Sequence, residues 1–543
     1  MVSTYLNNFP EGYSPSKQQV KLIKDIEDAY SSGVKFVICS APTGSGKSFI
    51  SKTLANVSNE PTSYFKELVE TYKAFKMDGT GGYEYEDECK EEKSSGAFAL
   101  TITKSLQDQY LQLFKDSVVA KGKSNYVSTI DTNIDVEVEN AIIPKKILEE
   151  HRINNKCPYH NARNKALIEK FGVLNYKMFL SLPAHVKRKN FIICDEASEL
   201  EDEIIKQFSA LIDPDRLKKY GVNSGNLYST KNEAVLKWLY NTIVEISEHV
   251  TKLTNVNNKN NIEISHSDSI KLSYCKNLHR TLSLIIETWG DCEYITQRNE
   301  GIVSITPLKV DKLTKYIFNY GDKVLLMSAT IIDHKHFAKT LGITDYKYIE
   351  VDSTFEAEKA PIYINTKHKI NHYNLKKILP SIIKQIDNIC KEHKNEKGII
   401  HTHTGFITSC LKDGFRGNKR FLYRDQESRN EDILHEHSLS SEPTVLVSPS
   451  LGLGIDLKDD LARFQIIIKA PYLPLGDERI KKMFELDKQW YSNKMLSNVV
   501  QQCGRGIRSQ EDHCKTYILD ASIFQAILRN KESLPKYFLD RFV

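Results

Sequence analysis

The stretch that most restricts this chain runs from Phe36 to Ser48. Strand-forming residues, Phe36-Val37-Ile38-Cys39-Ser40, meet a Gly-rich turn, Ala41-Pro42-Thr43-Gly44-Ser45-Gly46, and Lys47-Ser48 then open a helical pattern. Glycines let backbone N–H groups converge on phosphate oxygens, and the following helix N-terminus adds its partial positive charge. Strand, Gly turn, Lys-Ser and helix together are the recipe for a P-loop. Thr43, Gly44, Ser45 and Gly46 would form the cradle. Lys47 would reach the β- and γ-phosphates of ATP, and the Ser48 hydroxyl would help hold Mg²⁺. Ala41 stands where the strict motif has its first glycine.

A second half-site is needed for hydrolysis. Asn190 to Cys194 read as a buried strand that ends in Asp195-Glu196-Ala197-Ser198, about 150 residues after the P-loop. Asp-Glu after a strand is common alone. Paired with a P-loop, Asp195 is expected to bind Mg²⁺ and Glu196 to position and deprotonate the attacking water. Val324 to Met327 form another strand, followed by Ser328-Ala329-Thr330. Small hydroxyl residues there can link the nucleotide site to its surroundings.

Around these pieces the chain alternates strands and helices. Val20, Ile23, Ile26 and Ala29 keep helical spacing before the first strand,. Gln19 lies on that helix, where an amide can read an adenine edge; a solvated surface glutamine fits the position equally well. Ala97 to Thr103 resume a strand, and Lys104 opens a helix. Thr101, Thr103 and Lys104 suit hydrogen bonding to a phosphodiester backbone, although such a cluster also makes a plain helix cap. Residues 60 to 96 are polar and carry the acidic run Glu84 to Glu92, which reads as an inserted loop,. Near residue 350 the pattern restarts. Gly398 to Thr402, Thr444 to Ser448 and Phe464 to Lys469 predict buried parallel strands without a second P-loop,. This half carries Thr404, the loop with Gly454 and Asp456, and the stretch Gln501-Gln502-Cys503-Gly504-Arg505-Gly506-Ile507-Arg508. Arginines such as Arg505 and Arg508 neutralise charge on a γ-phosphate, and Gln501 precedes them on the same helix.

Composition bounds the rest. The 543 residues, 40% apolar and 27% charged, describe a globular chain of several domains,. No apolar run approaches the length of a membrane span. Met1 to Pro10 lack a basic segment followed by an apolar core, so no secretory signal is expected. A net charge of +5 permits a local basic groove without demanding one,. Ten scattered cysteines, with Cys39 and Cys194 at the ends of buried strands, fit a reducing, cytoplasmic setting,. Richness in Lys, Asn and Ile suits an AT-rich genome, such as that of a phage or virus.

The ordered set resembles the superfamily 2 helicases of the XPD/DinG family. It comprises Ala41-Pro42-Thr43-Gly44-Ser45-Gly46-Lys47-Ser48, Thr101-x-Thr103-Lys104-Ser105-Leu106, Asp195-Glu196-Ala197-Ser198, Ser328-Ala329-Thr330, Gly454-x-Asp456 and Gln501-x-x-Gly504-Arg505-x-x-Arg508. Lys121 to Tyr126, Cys157-Pro158-Tyr159 with Ala162-Arg163, and Asp352-Ser353-Thr354-Phe355 add to it. The resemblance implies an α/β fold of two tandem RecA-like domains with two insertions in the first. The first domain would comprise residues 1–115, 173–203 and 301–349. The insertions would be 116–172, equivalent to the family's iron–sulfur domain, and 204–300, equivalent to its arch. The second domain would be 350–543.

Two positions depart from the family. Between residues 116 and 172 only Cys157 remains, and Ser128 stands where relatives have a cysteine. A [4Fe–4S] cluster needs four thiolates or close substitutes, so none is expected. His151, Cys157 and His160 lack a fourth ligand for zinc. Ser198 occupies the place of the family's usual histidine, which puts in question how hydrolysis couples to movement.

The function implied is an ATP-driven translocase and helicase on single-stranded or branched DNA, with RNA or an RNA–DNA hybrid as other substrates and 5′ to 3′ polarity. Thr101, Thr103 and Lys104 on one side, and Thr404 and the Gly454 loop on the other, would alternately grip backbone phosphates. A monomer without membrane attachment is expected. The alternative, prompted by Ser198 and the missing cysteines, is a nucleic-acid-binding or partner-recruiting protein that uses ATP only as a switch. In residues 204–300, Leu236, Leu239, Ile243 and Ile246 predict a helix, while Asn255 to Asn261 read as a loop. Trp238, Tyr240 and Trp289 suit either base stacking or core packing.

Overall fold

A computed structural model describes residues 3–60, 95–129, 157–260, 266–424, 430–449, 459–507 and 512–543. The strands follow in chain order. They are β1 (Phe36–Ser40), β2 (Ala97–Thr101), β3 (Val118–Ala120), β4 (Phe171–Asn175), β5 (Lys189–Asp195), β6 (Ala210–Ile212), β7 (Tyr294–Asn299) and β8 (Ile302–Pro307). Then come β9 (Gly321–Ser328), β10 (Tyr346–Glu350), β11 (Ile362–His368), β12 (Gly398–His401), β13 (Phe421–Tyr423), β14 (Val445–Ser448), β15 (Phe464–Ile467) and β16 (Lys515–Asp520).

Seven of them form a first sheet in the order β10-β1-β9-β5-β2-β4-β3, and six form a second in the order β11-β16-β15-β12-β14-β13. All pairings in both sheets are parallel. The strands read as near-continuous apolar runs because helices cover both faces. The two-residue period of a strand sends Ile38, Val324 and Leu326 to one core and Val37, Cys39, Leu325 and Met327 to the other,. Burial pushes the Cys39 and Cys194 thiols up to about 12, which makes them inert core residues,.

The sheet corrects the expected extent of the first insertion. Val118–Ala120 is the edge strand β3, and β4 begins at Phe171. Both ends of 116–172 thus belong to the main sheet; residues 130–156, with His151, lie outside the described residues.

Residues 210–307 form a unit of their own that runs past residue 300, the expected end of the second insertion. Strands β6, β8 and β7 make a small antiparallel sheet beside two long helices, Asn232–Asn260 and His266–Glu287. The first helix extends to Asn260, over most of the segment read as a loop. Its pairing with the second helix overrides the weak helix propensity of asparagine,. Trp238 is buried and its indole donates to the Gly225 carbonyl at 3.3 Å. Trp289 stacks on Tyr294 with centroids 5.1 Å apart, whereas Tyr240 is exposed. Among the described residues no helix is long and apolar enough to cross a membrane.

The two lobes meet along a dry, ionic contact as well as a cleft. Glu201, on the helix Leu200–Gln207 just after the Asp-Glu pair, is buried against two helices of the second lobe, Glu478–Leu486 and Lys488–Cys503. It lies 2.8 Å from Arg479 and 3.0 Å from Lys494, and both carboxylate oxygens are 3.0 Å from the Trp490 indole nitrogen. Burial alone would raise the Glu201 carboxyl; Lys494 and Arg479 outweigh it and hold it below its usual value,. Arg479 also donates to the Pro307 carbonyl at 3.0 Å, at the base of the small sheet. Ile332 of the first lobe is buried in a core otherwise built by the second.

Candidate active site

The carboxyl ends of β1, β5 and β9 bring the first half of the site together, as expected where ligands bind a parallel sheet. Ser40 pairs with Ser328 and Asp195 with Met327, so Ala41, Glu196 and Ala329 leave the sheet along one edge. The P-loop is tied to that edge by the Ala41 amide, which donates to the Ser328 carbonyl at 3.0 Å.

Gly44 and Gly46 both adopt left-handed backbone, with φ of +81° and +82°. A side chain is excluded at each for a second reason. A Cβ on Gly44 would come within 2.5 Å of the Phe355 ring, and one on Gly46 within 1.9 Å of the Gln19 amide nitrogen. Gly46 caps the helix Lys47–Val57, which places Lys47 and Ser48 in its first turn. Lys47 lies 3.4 Å from Glu196 Oε1 and 3.5 Å from the Ala41 carbonyl oxygen. Thr43 lines the cleft, and the Ser45 hydroxyl is buried without a hydrogen-bond partner.

Asp195 is almost fully buried. Its Oδ1 accepts from the Glu196 amide at 3.0 Å, and Oδ2 stands 3.4 Å from the Tyr110 hydroxyl. Burial pushes its carboxyl up to about 6, with Lys47 opposing the shift and Glu196 adding to it,. Tyr110, itself 3.0 Å from Ser51, and Tyr176, which donates to the Asp195 carbonyl at 3.0 Å, fix this strand end from behind. Neither tyrosine carries a sequence signal. Ser48 and Asp195 offer only oxygen ligands, and the Ser45 hydroxyl beside them is unpartnered, a donor set that fits Mg²⁺ with its phosphate,.

Glu196 also adopts left-handed backbone, φ +51°, at a cost of roughly 1–2 kcal/mol for a residue with a Cβ,. That turn carries its carboxylate toward β9, where Oε2 accepts from Ser328 Oγ at 3.3 Å. Ser198 stands 2.9 Å from Ser328 Oγ and accepts from Thr330 Oγ1 at 2.8 Å. Glu196 thus meets the Ser-Ala-Thr turn directly at Ser328, and Ser198 braces the same turn through Ser328 and Thr330.

The second lobe supplies the opposite wall. One cleft of about 330 Å³ is lined by Thr43, Thr103 and Glu196 from the first lobe and by Gln501, Gly504 and Arg505 from the second. Arg505 is buried, and together with burial it pushes His401, at the end of β12, down to about 3. Arg508, Gly454 and Asp456 lie outside the described residues.

The remaining expectations divide. Gln19 touches the P-loop, but its Oε1 accepts from the Ser16 amide at 2.9 Å in a capping box. That bond uses one lone pair of the amide oxygen, and the amide nitrogen lies beside Gly46,. Thr101 is fully buried, with its hydroxyl 3.5 Å from the Leu174 carbonyl, so the structure does not bring it to the surface. Thr103 and Thr404 cap their helices, accepting from Leu106 and Ile407 amides at 3.3 Å. Lys104 is exposed beside Thr103. Cys157 is buried 3.0 Å from His160, and among the described residues no three His, Cys, Asp or Glu side chains gather as a metal-binding set.

Residues 386–539 match the model of the helicase C-terminal domain family. No curated protein matches the chain in sequence. Among solved structures, an XPD helicase is 16% identical and aligns over 96% of this chain and 99% of its own, with a TM-score of 0.53. Xpd4 of S. tokodaii is 13% identical over 94% and 97%, with a TM-score of 0.54. XPD in its apo form is 15% identical over 91% and 95%, with a TM-score of 0.51. The chain has the fold of the XPD helicases. In that fold the two parallel sheets are the tandem RecA-like domains, and the cleft is the space between them.

Proposed function

We propose that this XPD-like chain is an ATP-driven helicase that translocates 5′ to 3′ on single-stranded DNA and opens duplex or branched DNA. The reading is carried by a cleft that both lobes line, with Thr43 of the P-loop and Glu196 on one wall and Gln501 and Arg505 on the other. The amides of the Thr43–Gly46 turn and Lys47 hold the triphosphate. Mg²⁺ held by Ser48 and Asp195 would neutralise charge on the β- and γ-phosphates. Glu196 orients the attacking water and takes its proton, while Arg505 faces the developing charge from the second lobe.

Lys47 and Glu196 lie 3.4 Å apart across the site. Binding of the triphosphate draws Lys47 toward phosphate and leaves Glu196 for water. Closure of the cleft around the nucleotide and its opening after hydrolysis would ratchet a strand lying across both lobes. Thr103, Lys104 and Thr404 stand at helix starts suited to backbone phosphates, contacts that carry no sequence information and weaken with salt. The hydrogen bonds of Ser198 to Ser328 and Thr330 support a coupled motor over an ATP-gated binder, because the residue still engages the Ser-Ala-Thr turn that contacts Glu196.

Strand displacement on 5′-tailed, 3′-tailed and forked substrates, DNA against RNA, tests this reading. Unwinding of 5′-tailed DNA that is lost in Lys47→Ala is expected. Tight binding with no displacement in either polarity would instead support the ATP-gated binder.

A further inference from the structure

A segment that no motif marks runs along the mouth of the cleft. After the helix Ala521–Arg529 the chain passes between the lobes. Ser533 accepts through its carbonyl from the Asp333 amide at 3.0 Å. The Lys536 amide donates to Glu350 Oε1 at 2.8 Å, and the Tyr537 hydroxyl donates to the Ala329 carbonyl within the Ser-Ala-Thr turn. Four residues on, Arg541 is buried, and its guanidinium spans two backbone carbonyls. Nε donates to Ala360 at 2.7 Å, on the connection between the lobes, and Nη2 donates to Cys503 at 2.9 Å.

Cys503 is the last residue of the helix Lys488–Cys503, and Gly504-Arg505 follow directly. The terminal carbonyls of a helix lack intrahelical donors, and a cation there also meets the negative end of the helix dipole. Among the described residues no carboxylate forms an ion pair with Arg541. Burying a guanidinium without a counter-charge is costly, and here it serves two carbonyls that flank the arginine wall. A planar fork can bridge two acceptors at fixed angles; an ammonium cannot.

We propose that Arg541 is a positioning residue for the nucleotide cleft, fixing the turn that presents Arg505. This rests on the ATPase reading above. Arg541 acts through the Cys503 carbonyl and the connection at Ala360. Tyr537, on the same segment, fixes the Ser-Ala-Thr turn opposite. The one segment therefore sets the spacing of both walls.

The test is a double-mutant cycle on the full chain, read as steady-state ATP hydrolysis with oligothymidylate present, alongside thermal melting. Arg541→Ala is expected to lower kcat by about 10- to 100-fold with little change in KM, the effect of a misplaced catalytic group. In an Arg505→Ala background the same change should alter kcat by less than about twofold, because an absent side chain cannot be misplaced. Arg541→Lys should fall between wild type and Arg541→Ala, and it takes the place of that variant if Arg541→Ala does not fold. Equal factors in both backgrounds, or wild-type kcat in Arg541→Ala, would overturn the proposal. So would failure of both variants to fold, since the role would then be structural alone. An inactive wild type would overturn the ATPase reading itself, a result distinct from an active wild type with additive variants.

Discussion

The two lobes touch in two ways, at a satisfied ionic contact and at an incompletely matched cleft. At the Glu201 contact every partner is satisfied: one carboxylate takes Arg479, Lys494 and the Trp490 indole in a dry setting. At the cleft the polar groups are set but incompletely matched. Lys47 reaches Glu196 only at 3.4 Å, the Ser45 and Thr354 hydroxyls are buried without partners, and the Asp195 carboxyl is pushed up by burial. A satisfied buried ion pair is costly to break. An unsatisfied polar cleft is a surface waiting for a polar ligand. The molecule therefore reads as a clamp with a fixed side at Glu201 and a working side at the P-loop.

The largest effect should fall on the working side. Arg505→Ala is expected to lower kcat by roughly 10³- to 10⁵-fold while leaving the melting temperature near that of wild type; steady-state ATPase assays and calorimetry on one preparation check both halves. On the fixed side the pattern should invert. Glu201→Gln keeps the side-chain size but leaves Arg479 without its counter-charge and Lys494 with Asp202 alone. It should cost about 3–5 kcal/mol in urea unfolding, with nucleotide affinity retained in the fraction that remains folded. If Glu201→Gln instead raised kcat without loss of stability, the fixed side would be part of the moving machinery.

Two smaller changes sharpen the boundary. Gly44→Ala places a Cβ against Phe355 and forces left-handed backbone on an L-residue, worth roughly 1–2 kcal/mol,. Fluorescent-nucleotide titration should show about tenfold weaker binding, with the Glu201 contact and overall stability little altered. Ser198→Ala removes hydroxyl links to Ser328 and Thr330 worth about 1 kcal/mol,. Its expected signature is more ATP consumed per base pair opened, at near-normal ATPase rate, because Glu196 keeps Ser328. An unchanged ratio would remove Ser198 from the coupling path.

The working side was largely legible in the sequence and the fixed side was not, for a physical reason. Phosphate cradles need glycine, lysine and a helix start at set spacing, so the P-loop is local in sequence. Its partner Asp195-Glu196 follows a buried strand whose alternation is equally local. Glu201 is one acidic residue on an acidic helix. Nothing in the sequence singles out Arg479, Trp490 or Lys494, nearly 300 positions later, as its partners. Arg541 was hidden in the same way, since its acceptors are backbone carbonyls and any residue supplies those. Gln19 lies beside the P-loop, and its capping box with Ser16 uses one lone pair of its amide oxygen,. The asparagine-rich end of the long helix misled because propensity is a weak prior once two helices pair.

The central claim is that closure of the cleft by a bound strand drives hydrolysis. The most direct measurement is the ATPase rate of the purified chain with and without single-stranded DNA, next to Lys47→Ala. A rate strongly raised by the strand and abolished in Lys47→Ala is the result this account predicts. A wild-type rate that is the same with and without any nucleic acid would contradict it.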